Sequence, residues 1–168
     1  MSNKIGLFAG SFDPVTNGHL DLIKRASQVL DQLYVGIFYN QNKEGFLPLS
    51  RRQALLEEVV KDLPNVSVIT SHDQLAVTVA KDLGASVLVR GLRNGQDLTY
   101  EASMDHFNQD LAQDLETIYL LAKPDLSYIA SSRVRELTHF GADIRPYVPE
   151  VVALELEKRH DKEWAESA

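Results

Sequence analysis

The strongest chemical signal in the sequence is a histidine that closes a turn rich in helix-breaking residues. The string from Gly10 to His19 reads GSFDPVTNGH, and it lies between the apolar run Ile5–Ala9 and an amphipathic run. This order predicts a buried strand, a tight loop and a helix capped by Thr16 or Asn17. A helix N-terminus presents free N–H groups and a partial positive charge, which suits phosphate. We therefore interpret His19 as a hydrogen-bond donor beside a bound phosphate.

Cationic side chains follow two other apolar runs of the chain. Lys43 lies in the polar loop Asn40–Pro48, and Arg90 and Arg93 flank a Gly-Leu pair at the end of a later run. An isolated lysine or arginine is usually a solvated charge or a surface ion pair. Guanidinium groups also match phosphate oxygens through paired hydrogen bonds. We predict that these cations meet the His19 turn at one edge of a sheet.

A pair of serines forms the third polar motif. Ser131 and Ser132 stand directly before a helical pattern that includes Val134 and Leu137. Serine in this place typically caps a helix, so we expect the pair to be an N-cap. The same hydroxyl and N–H groups suit a triphosphate.

The elements that must position these motifs alternate along the chain. Five short apolar runs predict strands, and they are Lys4–Ala9, Leu33–Phe38, Val66–Thr70, Val87–Arg90 and Thr117–Leu121. Continuous apolar strands are typical of a parallel sheet that is covered on both faces. Helical patterns fill the gaps between the runs, which favours an α/β fold. We predict a single-domain, Rossmann-like, doubly wound parallel sheet of five strands with helices on both faces.

The helical patterns carry further local signals. Ser50 and Gln53 have the spacing of a capping box, and Gly84 is placed to end a short helix. Apolar residues from Tyr100 to Leu111 recur at helical spacing, and this helix has apolar surface to spare for assembly. The chain of 168 residues is most simply one domain, 1–168, with residues 160–168 expected to fray.

Composition excludes several classes of function. The net charge of −7 and pI near 5.2 argue against bulk nucleic-acid binding. The sequence contains no cysteine, which excludes disulfides and thiolate chemistry and fits a reducing cytoplasm. We expect no signal peptide and no membrane span, because no apolar run approaches the required length. The five histidines are too scattered to form a familiar metal-ligand spacing, so we expect no protein-held metal.

Three motifs resemble those of the nucleotidylyltransferase superfamily. Thr16–His19 resembles its T/HxGH signature, Arg90–Arg93 resembles an RGLR motif, and Ile129–Arg135 resembles ISSTxxR. The resemblance is closest to bacterial members that use 4′-phosphopantetheine as acceptor. Ala130 departs from the pattern by replacing the first serine of ISSTxxR, while Ser132 and Ser11 replace common threonines and keep the hydroxyl.

The resemblance implies roles for individual residues. It implies ATP contacts by Ser11, Phe12, His19, Gly91, Leu92, Arg93, Glu101, Leu126, Ser127, Tyr128, Ile129, Ala130, Ser131 and Ser132. It implies contacts to phosphopantetheine by Ser11, Lys43, Ala76 and Arg90. It also gives catalytic roles to His19, Lys43 and Arg93, with His19 stabilising the transition state.

The resemblance further implies an activity. The acceptor phosphate would attack the α-phosphorus of ATP in line and give dephospho-coenzyme A and pyrophosphate, with Mg²⁺ arriving on ATP. It implies a cytoplasmic homohexamer, inhibited by coenzyme A, that binds neither nucleic acid nor membrane. Two alternatives remain at this point. One is a transferase for another phosphorylated acceptor, such as nicotinate mononucleotide or glycerol phosphate, and the other is a non-catalytic nucleotide-sensing module.

Overall fold

The chain forms a five-stranded parallel sheet with six helices among the residues that the structure describes. The computed structural model describes residues 3–40 and 44–167, with side chains as far as residue 159. The strands are β1 (Ile5–Gly10), β2 (Gln32–Tyr39), β3 (Val66–His72), β4 (Val87–Leu92) and β5 (Glu116–Leu121). The helices are α1 (Asn17–Ser27), α2 (Leu49–Val60), α3 (Ala76–Asp82), α4 (Gly95–Leu111), α5 (Ser131–His139) and α6 (Glu150–Ser167).

The strand order β3-β2-β1-β4-β5 confirms the doubly wound fold. Strand order reverses between β1 and β4, where Phe8 is paired with Val89. Ligands of such sheets bind beyond the carboxyl ends of the strands at this reversal. The segments that follow Gly10 and Leu92 therefore form the walls of the expected site.

Successive side chains of a strand point to opposite faces of the sheet, and an apolar core forms on each face. Phe8 and Val89 pack into a large core with residues of α1, α2, α5 and α6. Leu7 and Leu88, which point to the other face, pack with α3. Helices therefore cover both faces of the sheet, and the predicted two-sided helical cover is confirmed.

Two predicted helix starts are wrong. Helix α2 begins directly after Pro48, so Ser50 lies inside the first turn and Gln53 donates to Glu57 instead. Helix α5 has Ala130 as its N-cap, with no side-chain cap. Ser131 is already helical, and its hydroxyl donates to a carbonyl of the loop after β1. A contact with a distant segment thus takes the Ser131 hydroxyl away from the cap of α5.

Two other expectations about helices have mixed outcomes. Gly84 ends α3 as predicted, with a φ of +66° that suits glycine. Helix α4 buries none of its residues, and Tyr100 and Phe107 are 65% and 64% exposed. The backbone of α6 is helical to Ser167, and fraying of residues 160–168 stays a prediction. None of the described helices is long and apolar enough to cross a membrane.

Candidate active site

The loop between β1 and α1 forms one wall of the site. Phe12 has a φ of +44°, and its side chain is buried against Phe8 and His19, with ring centroids 5.6 and 5.0 Å away. The Asp13 carboxylate accepts hydrogen bonds from the N–H groups of Phe46 (2.7 Å) and Leu47 (2.8 Å). The loop is thereby joined to the segment that follows β2.

Side chains from two helices hold the same loop by its carbonyl groups. Arg135 Nη1 donates to the Asp13 carbonyl at 2.7 Å, and Ser131 Oγ donates to the Pro14 carbonyl at 2.8 Å. Arg52 Nη1 donates to the Ser11 carbonyl at 3.2 Å. With these acceptors occupied, the loop cannot turn its carbonyl oxygens toward an anion without breaking hydrogen bonds.

His19 lies in the first turn of α1, where a reciprocal cap fixes its ring. Its Nδ1 accepts the Thr16 N–H at 3.1 Å, while its own N–H donates to Thr16 Oγ1 at 3.3 Å. An Nδ1 that accepts a hydrogen bond has no proton, so the neutral ring carries its proton on Nε2. The sequence predicted a cap at Thr16 or Asn17, and the structure has it at Thr16. The cap gives the predicted donor role of His19 a physical basis.

Burial, followed by the nearby charge of Arg93, lowers the pKa of His19 to about 4. The ring is therefore neutral at physiological pH. A neutral imidazole with its proton on Nε2 donates a hydrogen bond to a phosphate oxygen without taking up a proton.

This pKa shift has a consequence for stability. The unfolded chain binds a proton at His19 near pH 6.5 and the folded chain near pH 4, so folding stability falls as the pH drops through this window. We expect His19→Gln to remove that part of the pH dependence, because the glutamine side chain does not titrate. Glutamine can also accept the Thr16 N–H as the partner residue of a capping box. Urea unfolding of both proteins at pH 7 and pH 5 checks this. Equal losses of stability in the two proteins would contradict the shift.

Arg90 is held at the end of β4 by two partners. Its Nη1 donates to the Ala9 carbonyl at 3.3 Å, and its Nε lies 3.4 Å from Glu101 Oε2. Both side chains are largely buried, with exposures of 25% and 21%. A guanidinium has five N–H donors, so most of those on Arg90 remain for a ligand. Glu101 therefore orients Arg90 in the cleft.

Arg93 is oriented by the helix that follows it. Its Nε and Nη2 donate to Asp97 at 2.9 and 3.1 Å, and Asn94 caps α4 by accepting the Asp97 N–H. The hydrogen bond from Arg93 holds the pKa of Asp97 below its usual range. The Nη1 donors of Arg93 remain for a ligand.

The structure brings most of the predicted residues into one cleft of about 410 Å³. The predicted residues that line it are Ser11, His19, Arg90, Gly91, Leu92, Arg93, Glu101, Leu126, Ile129, Ala130, Ser131 and Ser132. Phe12, Ala76, Ser127 and Tyr128 are not among its lining residues, and Lys43 lies outside the described residues. The roles assigned to individual residues stay predictions.

The cleft also contains residues that the sequence interpretation missed. Arg135 and Leu22 both line it. Arg135 is the arginine of the ISSTxxR-like motif, so that motif could have identified it as a site residue. Gly91, for which the resemblance implies an ATP contact, also packs closely against α1, since a Cβ there would lie 2.3 Å from Leu22 Cδ1. Gly91 therefore makes room for α1 against β4.

The chemistry of the cleft is that of an anion-binding site. Glu101 is the one carboxylate among the described residues that line it, and it is paired with Arg90. Within the described ranges, no group of three or more His, Cys, Asp or Glu residues could hold a metal ion. Arginines, hydroxyls, a neutral histidine and the N-termini of α1 and α5 all favour phosphates. The fold and this donor set define a Rossmann-like nucleotidyltransferase.

Comparison with known proteins agrees with that class. The cytidylyltransferase-like family model matches residues 7–137. A phosphopantetheine adenylyltransferase of Streptococcus pneumoniae is 62% identical over 156 residues, covering 93% of this chain and 96% of that protein. One from Streptococcus gordonii is 59% identical over 159 residues, covering 95% and 97%. The chain belongs to the phosphopantetheine adenylyltransferases, within the cytidylyltransferase-like family.

A solved structure shares the fold at low sequence identity. The Plasmodium falciparum nicotinic acid mononucleotide adenylyltransferase complexed with NaAD superposes with a TM-score of 0.67 and 14% identity. The match covers 95% of this chain and 97% of that chain. At this identity the likeness supports the Rossmann-like architecture alone.

Proposed function

We propose that this chain transfers the adenylyl group of ATP to 4′-phosphopantetheine, giving dephospho-coenzyme A and pyrophosphate in coenzyme A biosynthesis. The observation that carries the proposal is the fixed His19 ring, whose Nε2–H donor lies in a cleft lined by Arg90 and Arg93. The identity of about 60% to phosphopantetheine adenylyltransferases supports the choice of acceptor.

The resemblance to the nucleotidylyltransferase motifs suggests separate roles for the donors. Arg90, at the end of β4, binds the acceptor phosphate together with Lys43. Arg93 and the first turn of α5 bind the phosphates of ATP that leave as pyrophosphate. His19 donates to the α-phosphate, where negative charge grows in the transition state. The protein thus positions two anions and neutralises their repulsion.

The tautomer of His19 supports direct transfer between the two substrates. Nδ1 accepts the Thr16 N–H, and Nε2 carries the proton, so neither nitrogen offers a free lone pair for attack. The sequence contains no cysteine to act in its place. The acceptor phosphate is itself a nucleophile, and in-line displacement at the α-phosphorus needs no covalent enzyme intermediate.

Magnesium enters the proposal as the companion of ATP. Mg²⁺ usually keeps several waters and binds through substrate phosphates with few protein ligands. A cleft rich in cations, with Glu101 already paired, fits a metal carried by the nucleotide. The chemistry that Mg²⁺ supplies is charge neutralisation on the phosphates.

We place the enzyme in the cytoplasm, and the absence of cysteine is consistent with that reducing compartment.

Pyrophosphate release separates this function from its alternatives. The assay supplies ATP with phosphopantetheine, nicotinate mononucleotide or glycerol 3-phosphate, and ATP alone is the blank. We expect pyrophosphate with phosphopantetheine only. Turnover with another acceptor would assign a different transferase activity, and ATP binding without turnover would indicate a sensing module.

Coenzyme A is expected to compete with phosphopantetheine. The two molecules share the pantetheine arm, so the acceptor contacts assigned to Lys43, Ala76 and Arg90 suit both. Saturating phosphopantetheine should then abolish most coenzyme A binding in titration calorimetry. Unchanged coenzyme A binding would show that it uses a separate site and is not a competitive feedback inhibitor.

We also propose a homohexamer, for which α4 supplies the apolar surface. Tyr100, Met104, Phe107 and Leu111 are 40–65% exposed on this helix. Sedimentation at micromolar protein should give an assembly of six chains of 18.8 kDa, and Phe107→Glu should yield smaller species. Val29→Glu, at an apolar residue 59% exposed outside α4, is the matched control and should stay assembled. A stable wild-type monomer would contradict the proposal.

A further inference from the structure

Arg52 is a buried cation that makes no direct ion pair among the described residues. It lies on α2 with an exposure of 7%, and its Nε has no hydrogen-bond partner. Among the described residues, its hydrogen bond goes to the neutral Ser11 carbonyl. The Asp13 carboxylate lies nearby, since a Cβ at Gly45 would be 3.1 Å from both Arg52 Nη2 and Asp13 Oδ2. The neighbouring Arg51 is half-exposed and pairs with Glu155. The hydrogen bond from the buried Arg52 guanidinium goes to a loop carbonyl and not to a carboxylate, so Arg52 constrains the loop after β1.

The hydrogen bond from Arg52 sets the direction of one peptide group. The peptide between Ser11 and Phe12 is trans, so the Phe12 N–H points opposite to the Ser11 carbonyl. Ser11 lines the cleft, whereas Arg52 lines a separate hollow with Phe46 and Arg159. A carbonyl drawn toward Arg52 therefore turns the Phe12 N–H toward the cleft.

The Phe12 N–H has no acceptor within the described part of the chain. Phe12 also occupies the left-handed region, with a φ of +44°, which a non-glycine residue adopts only when its surroundings impose it. The buried ring of Phe12 fixes one end of this conformation, and the contact from Arg52 to Ser11 fixes the other. These two contacts together hold the Ser11–Phe12 peptide in a strained conformation, with the Phe12 N–H free to donate to a ligand.

We propose that Arg52 is a positioning residue for adenylyl transfer. It holds the Ser11–Phe12 peptide so that the Phe12 N–H and the Ser11 hydroxyl face the reacting phosphates. This inference rests on the proposed function of the cleft and adds a residue that does not line it. Arg52 sets the position of the Phe12 N–H and the Ser11 hydroxyl, which donate to the negative charge that develops in the transition state. Loss of Arg52 therefore lowers kcat more than it raises either KM.

The test compares Arg52→Met with Arg51→Met in the pyrophosphate-release assay, with activity expressed per folded enzyme. Methionine fills much of the buried volume without a donor or a charge. We expect Arg52→Met to lower kcat about tenfold or more, the scale of a displaced preorganised donor, with both KM values within about threefold of wild type. Arg51→Met should match wild type. Arg52→Lys keeps a cationic donor and should recover part of the lost kcat.

The outcomes separate the inference from the proposed function. An Arg52→Met enzyme that folds and turns over at the wild-type rate would overturn the inference. Loss of kcat with no recovery in a folded Arg52→Lys variant would also overturn it. Should Arg52→Met fail to fold, Arg52→Gln replaces it, since its shorter amide withdraws the donor from Ser11. A wild-type protein that releases no pyrophosphate would instead contradict the proposed function.

Discussion

Replacement of His19 by alanine is expected to lower kcat by about 10²–10³-fold, the usual effect of deleting one preorganised donor to developing charge. Thr16 binds Nδ1 of the ring, which leaves Nε2–H as the donor to a ligand in the cleft. The low pKa of His19 keeps the ring neutral at physiological pH. Since the contact strengthens as charge grows on the α-phosphate, KM for ATP should change much less than kcat. Steady-state kinetics on the purified variant measure both.

The control for this prediction is His19→Gln. Alanine also removes the acceptor for the Thr16 N–H, which weakens the start of α1. Glutamine suits this place in a capping box, so stability should return to near the wild-type value. We expect kcat of His19→Gln to stay at least about tenfold below wild type, because the amide presents its donor from a different place. Near-normal kcat in His19→Ala would remove His19 from the mechanism.

Replacement of Arg90 or Arg93 by alanine is expected to raise KM for different substrates. Loss of a charge-assisted contact of about 1.5–3 kcal/mol corresponds to roughly a ten- to hundredfold increase in KM. Arg90→Ala should affect phosphopantetheine, and Arg93→Ala should affect ATP. The structure gives each arginine its own orienting carboxylate, Glu101 for Arg90 and Asp97 for Arg93, so each substitution removes a separate unit. Kinetics with each substrate varied in turn reveal the pattern.

Two further variants sharpen this comparison. Arg133→Ala is a matched control, because its side chain is 71% exposed, pairs with Glu136 and does not line the cleft. It should leave both KM values unchanged. Lysine at 90 or 93 should rescue only partly, because it keeps the charge and loses the planar fork. If Arg90→Ala and Arg93→Ala raised the same KM, the assignment of the two arginines to different substrates would be wrong.

The parts of the structure that depend on local pattern could be predicted from the sequence. Buried strands and amphipathic helices each have a characteristic spacing of apolar residues within a short segment. The order of the elements and the parallel sheet could therefore be predicted from the sequence. Because strand ends meet at one edge of such a sheet, Arg90 and Arg93 could be placed beside His19. A cap at Thr16 or Asn17 could be predicted from the local sequence, and the structure has it at Thr16.

The parts that depend on contacts between distant segments could not be predicted in this way. Arg52 donates to Ser11 across 41 positions, and Arg135 donates to Asp13 across 122. No local pattern reports such pairs, and a buried arginine looks like any other helical arginine in the sequence. The same limit explains the wrong cap at Ser131, whose hydroxyl is drawn to a carbonyl 117 positions away.

The central claim is direct in-line transfer of the adenylyl group to phosphopantetheine, and stereochemistry at the α-phosphorus tests it most directly. A single diastereomer of ATP with sulfur on the α-phosphate would be incubated with phosphopantetheine and the enzyme. The configuration of the resulting dephospho-coenzyme A phosphorothioate would then be determined. The arrangement of His19, Arg90 and Arg93 predicts this product with inverted configuration, as one displacement requires. Retention of configuration, or no adenylylated product, would contradict the account.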